Sequence, residues 1–259
     1  MRMMVFSKAT SDRDSGRPSA IFKSMTNALT MIVFGLICTV SPSLAVQSSA
    51  AASAAPSSSM APTSAYLMDR TQEIALARSA APAPISNDAT ILVLTRTGYE
   101  TAVQGSNGFV CWVGRGFSGA PDWNERWNPK IRAAGCYNPQ AARSMTPIAK
   151  LRTAMTLAGR PDTEIIDRIK LALRTKEIPP LEAGAMCYMM SKDAYLTNAG
   201  SHGMAHIMFF IPSQNGDSWG ANLPGAPVFG GSYWFFLPEH KAEAASLPPV
   251  TVLLIGVGT

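Results

Sequence analysis

Four apolar runs crowd the last third of this chain: AMCYMMS (185–191), AHIMFFIP (205–212), GSYWFFLPE (231–239) and VTVLLIGVG (250–258). Each has strand length and is parted from the next by Gly, Pro, Asn or Asp, so each predicts a strand covered on at least one face. Three further β-prone runs, ATILVLTRT (89–97), GYETAV (98–103) and GFVCWVGRGF (108–117), precede them. Thr97-Gly98 and GSNG (105–108) separate these as turn signals and predict an antiparallel meander. The stretch 118–135 reads as loop. Two helical patterns stand between the strand groups. Thr146 predicts an N-cap with Pro147 at the first helical position; Ile148, Leu151 and Met155 share a face, and Gly159 ends the helix. The second helix opens at Pro161-Asp162, carries Ile166, Ile169 and Leu173 at helical spacing, and stops at Ile178-Pro179-Pro180. Glu164 and Arg168 read as an exposed i, i+4 pair on it. The order predicts an α+β fold, with antiparallel strands at both ends of the domain and two central amphipathic helices.

The N-terminal part reads differently. Residues 28–40, ALTMIVFGLICTV, are uncharged and apolar, with Lys23 before them. A permanent span needs ~20 such residues, so this run predicts the core of a secretory signal, residues 1–45, cleaved after Ala45. The alternative is an inner-membrane anchor through 28–40. Residues 46–64 are Ala/Ser/Pro-rich and uncharged, too poor in bulky side chains to offset the entropy of ordering. Residues 46–87 therefore read as a low-complexity linker, with a short helix between Tyr66 and Ser79 broken by APAP (81–84). Residues 88–259 read as one globular domain. The predicted destination is the periplasm or the exterior, with no permanent membrane span after leader cleavage.

Charge excludes one class of partner. Five of the 22 basic and two of the 17 acidic residues fall in 1–45, leaving 17 against 15. A body so near neutrality lacks the cationic surface that supplies most nucleic-acid affinity, so no nucleic acid is expected. Export bears on the thiols of Cys111, Cys136 and Cys187, which allow one disulfide in any of three pairings, or none. Cys111 with Cys136 is favoured, because the pair brackets a loop rich in Trp, Asn, Pro and Gly. Closing such a loop contributes on the order of 3 kcal/mol in the chain-entropy picture. Without a CxxC, a cysteine zinc site has little support.

Chemistry-bearing residues are few. His202 and His206 stand four apart in SHGMAHIMFFI (201–211). On a helix they would share a face; before a strand they lie ~13 Å apart. One metal ion with ~2.1 Å bonds cannot bridge that, so no metal site and no cofactor are expected. His206 is expected to face the core. A hydrolase built from His202, His206 and Asp217 is the catalytic alternative, although no G-x-S-x-G elbow or phosphate loop accompanies them. The aromatic candidates are Trp123 and Trp127 in PDWNERWNP (121–129), and Trp219 with Asn222 in NGDSWGANLPGAP (215–227). Indoles mixed with amides can line a sugar or peptide site, or can plug long loops onto the domain.

NGFVCWVGRGF, IMFFIPSQNGDSWGANLPGAP and VTVLLIGVG together resemble a family of exported bacterial proteins of unknown function. They share a strand ending in NGF-x-C, a polar H-x-x-x-H stretch before an apolar strand, and WGANLPG. The likeness spans residues 88–259 and implies an exported single domain without supplying an activity. The expectation is a domain that binds a small molecule, a glycan or a protein partner and is not an enzyme.

Overall fold

The computed structural model of the chain describes residues 59–118, 125–198, 205–212, 217–233 and 247–257. The expected leader, most of the low-complexity segment, Trp123 and His202 lie outside the described residues. Among the described residues eight strands form one sheet: β1 (Thr90–Leu94), β2 (Tyr99–Val103), β3 (Val110–Gly114), β4 (Ala133–Tyr137), β5 (Met186–Met189), β6 (His206–Pro212), β7 (Val228–Tyr233) and β8 (Val250–Gly256). Their order is β2-β1-β3-β4-β5-β6-β8-β7. The helices are α1 (Arg70–Arg78), α2 (Ala83–Ser86), α3 (Pro139–Ser144), α4 (Thr146–Leu157) and α5 (Asp162–Arg174). The α+β class read from the sequence is the class observed.

The first three strands are not a meander. β1 and β2 pair as an antiparallel hairpin, but β3 lies on the other side of β1 and runs parallel to it, with Ile91 opposite Cys111. GSNG is therefore a crossover and not a hairpin turn. Ser106 and Asn107 donate their backbone N–H groups to the Asp88 carbonyl, which pins the crossing chain across the start of β1. The approach is so close that a Cβ on Gly105 would lie 2.2 Å from the Thr90 nitrogen. Asn107 completes the crossover, donating to the Ile85 carbonyl at 2.7 Å and accepting from Phe109 N–H at 3.0 Å.

Both faces of the sheet bury apolar side chains around β1, β3 and β4. Leu92, Leu94, Trp112 and Tyr137 join Ile148, Ile165, Ile166 and Ile169 under α4 and α5. Ile91, Cys111, Val113, Ala134 and Cys136 pack on the opposite face with Ala77 and Ala80, at the end of α1 and just beyond it. Two covered faces explain why these strands are buried almost residue by residue. β6 alternates instead, with His206, Met208 and Phe210 buried and the residues between them only partly so.

Packing of α1 moves the boundary of the folded domain upstream of Asp88. Asp69 caps α1, accepting from Thr71 and Gln72 N–H groups at 2.9 and 3.0 Å, and the helix lies against β1, β3 and β4. Residues 70–78 are thus one wall of the core and not a linker. Three smaller expectations also change. Residues 133–135, the end of the stretch read as loop, open a central strand, Ala133–Tyr137, made inconspicuous by its small residues. Thr146 is the first residue of α4 and not its cap, because α3 ends at Ser144 and the chain enters α4 already helical at Met145. Arg168 pairs with Glu177 beyond the helix end, while Glu164 faces Arg160 at 3.8 Å.

Candidate functional site

Buried polar groups collect at one end of the sheet, where β3 ends and β4 and β6 begin. Arg115 follows β3 and is wholly buried; its Nη1 lies 3.0 Å from Glu73 Oε1, itself 1% exposed. The guanidinium also donates to the Tyr66 carbonyl at 2.8 Å and the Val113 carbonyl at 2.5 Å. Glu73 accepts in addition from Leu94 N–H at 3.1 Å. The Tyr99 hydroxyl donates to the same Val113 carbonyl at 2.8 Å, and burial pushes its pKa up to about 12. Nearby Arg132 is pushed down to about 10, by burial first and by the charge of Arg115 second, and stays charged at neutral pH. A charge pair this deep joins α1 to the sheet and is held by hydrogen bonds on both partners.

Glu125 organises the loops beyond. It is buried, accepts from Asn128 Nδ2 at 2.6 Å and Asn198 N–H at 2.8 Å, and receives a further bond from the Thr197 hydroxyl. Burial is the largest influence on its carboxyl and would raise the pKa. The three hydrogen bonds together outweigh burial and hold it below the usual carboxylate range. Gly116 lets the chain pass close by: a Cβ there would lie 2.4 Å from the Arg126 carbonyl oxygen.

The structure separates the predicted site residues by role. Trp127 is half-buried against the core, its ring 4.3 Å beneath the Arg126 guanidinium, and Arg126 is clamped by Asp162 through two hydrogen bonds. That indole plugs its loop. Asn222 sits at φ 63° and spends its carboxamide on β7, donating to the Gly230 carbonyl at 2.9 Å and accepting from Gly230 N–H at 3.2 Å. Its own N–H bonds the Val228 carbonyl at 2.9 Å. WGANLPG is thus a guard on the sheet edge, and Asn222 has its amide committed to backbone. Trp219 is exposed, as are Leu223 and Phe229. His206 faces the core beside Met208 and Phe210, as its strand position predicted, and Asp217 is exposed in a 3-10 turn. Among the described residues no group of three His, Cys, Asp or Glu side chains is placed to hold a metal.

Cys111 and Cys136 stand opposite each other on β3 and β4 at bonding distance, the pairing favoured from the sequence. The sheet, more than the loop between them, brings them together. Cys187 points to the other face, into the core under α4 and α5, and burial pushes its thiol up to about 12. It is an inert apolar side chain there.

Sequence reasoning missed a concave site on the helix-covered face. A cavity of about 110 Å³ opens between the α3–α4 junction, α5 and the start of β8. Met145, Ile148, Ile169, Leu173, Leu247 and Val250 form most of its wall, and Pro179-Pro180-Leu181 crosses its edge. The chain turns across there because α5 ends in a left-handed residue, Lys176 at φ 59°, after which Ile178 N–H reaches back to the Ala172 carbonyl at 3.1 Å. Among the described residues Ser144 is the one hydroxyl in the wall, and it donates to the Gln140 carbonyl at 2.7 Å. No titratable side chain lines the cavity among the described residues. Such a wall can hold an apolar guest by desolvation and shape, and offers no acid, base or nucleophile to it. The helical spacing of Ile169 and Leu173 was visible in the sequence; their facing a void was not. No protein-family model, no curated protein and no solved structure matches this chain.

Proposed function

We propose that the protein is an exported binding domain that holds a small, largely apolar molecule between α4, α5 and the start of β8. One observation carries the reading: among the described residues the concave site is walled by aliphatic side chains and prolines, and the Ser144 hydroxyl in that wall is already engaged. A cavity of ~150 Å³ lined by Leu, Ile and Phe takes a benzene-sized guest, so this one, of about 110 Å³, takes the end of an alkyl chain whose remainder lies along its open side. Export is supported by the apolar run 28–40, by the Cys111–Cys136 pair, which suits an oxidising compartment, and by the resemblance to exported bacterial proteins. Among the described residues no helix is long and apolar enough to cross a membrane. The hydrolase reading on His202, His206 and Asp217 draws no support from this site, since neither His206 nor Asp217 lines it and His202 lies outside the described residues.

Titration calorimetry with octan-1-ol tests the proposal. Saturable binding at one site is expected, abolished by Leu173→Trp, which fills the cavity while α5 stays folded by circular dichroism. Absence of saturable heat, or a filled variant that binds as well as the parent, would remove the cavity as the binding site.

A further inference from the structure

The rim of the cavity is charged on one side. α5 turns Ile169 and Leu173 into the void, four residues apart; Lys170 and Arg174, each one residue further on, fall on the adjoining strip of the same helix. A groove of about 200 Å³ is lined by Lys170, Leu173, Arg174, Leu247 and Pro248, and it shares the last two and Leu173 with the cavity. An apolar hole thus runs into a groove whose lining, among the described residues, holds two cations and no acid.

Neither cation is consumed by the fold. Lys170 lays its stem against the protein, its side chain 14% exposed, and among the described residues its ammonium reaches only Asp167 Oδ1 at 3.6 Å, a carboxylate that is itself 75% exposed. Exposed pairs of that kind contribute little and give way readily to a better-placed anion. Arg174 makes no hydrogen bond or ion pair among the described residues. The C-terminal end of α5 opposes an anion with roughly half a unit of negative charge, against two full positive charges on the rim.

We propose, building on the cavity reading above, that the guest is an amphipathic monocarboxylate: an alkyl chain in the cavity, with its carboxylate in the groove between Lys170 and Arg174. A guanidinium and an ammonium on one helix face can take the two oxygens of one carboxylate.

The test compares octanoate with octan-1-ol on the full chain by titration calorimetry, at low salt and in 1 M NaCl. Octanoate is expected to bind about tenfold tighter at low salt, with most of that advantage lost at 1 M because the groove is open to screening. The Lys170→Gln, Arg174→Gln double variant is expected to weaken octanoate about tenfold and leave octanol unchanged. Octanol binding as tightly as octanoate, with the double variant indistinguishable from the parent, would overturn the carboxylate inference and leave the cavity reading standing. Failure of both probes to bind would overturn the two together.

Discussion

Glu73 and Arg115 show how much a single buried contact can decide. Neither residue touches solvent, and between them they fasten α1, β1, the Tyr66 carbonyl and the end of β3. Removing one partner leaves the other charge buried and uncompensated, so Glu73→Ala is expected to cost about 3–5 kcal/mol in urea unfolding. The paired replacement Glu73→Met with Arg115→Met is expected to recover most of that loss, which an exposed pair would not do. Glu125 yields a pH-dependent prediction. Its folded-state pKa lies below its unfolded value, so its stabilisation is present above about pH 4.3 and is lost as pH falls through the lower folded value. Glu125→Gln should therefore lower stability at pH 7 by about 1–3 kcal/mol and flatten the acid limb of the stability profile. A parallel downward shift of the whole profile would contradict this role. The pairing of Cys111 with Cys136 and the inward face of His206 were legible from loop content and strand position. The committed amide of Asn222 was not, because an Asn in a Gly/Pro-rich turn reads equally as a ligand contact or a backbone brace.

The edge of the sheet is where local chemistry becomes a property of an element. β7 is a terminal strand, and an unprotected edge invites pairing with another chain. Asn222 occupies both outward backbone groups of Gly230 and one of Val228. Asn222→Gly keeps the positive φ without strain and removes only the carboxamide, so it is expected to raise self-association severalfold in sedimentation velocity while the melting temperature falls little. Unchanged association would show that the edge needs no guard. At this scale the two amphipathic helices and most strands were readable, since their apolar spacing is set by the faces they bury. β4 escaped notice because its first four residues, AAGC, have neither bulk nor β-branching. The parallel β1–β3 pairing escaped because a turn sequence records that the chain bends and not which side it bends to. The close passage of Gly105 over the Ala89–Thr90 backbone, with the Ser106 and Asn107 bonds to the Asp88 carbonyl, settles the side.

For the molecule as a whole, a sheet with unequal cover explains where a ligand can go. α1 seals one face around β1, β3 and β4 with alanines, whose small side chains bring helix and sheet close and leave little space. On the other face α4 and α5 stand over β-strands that carry large side chains, and the prolines after α5 bridge to the start of β8 without filling the gap. The cavity is a consequence of these mismatched covers, and no single stretch of sequence encodes it. The most direct test is a crystal soaked with 8-bromooctan-1-ol and measured for bromine anomalous scattering. The binding account predicts one bromine peak in contact with Met145, Ile148 or Leu173. A bromine bound only at the Trp219, Leu223 and Phe229 surface, or no ordered bromine at all, would contradict it.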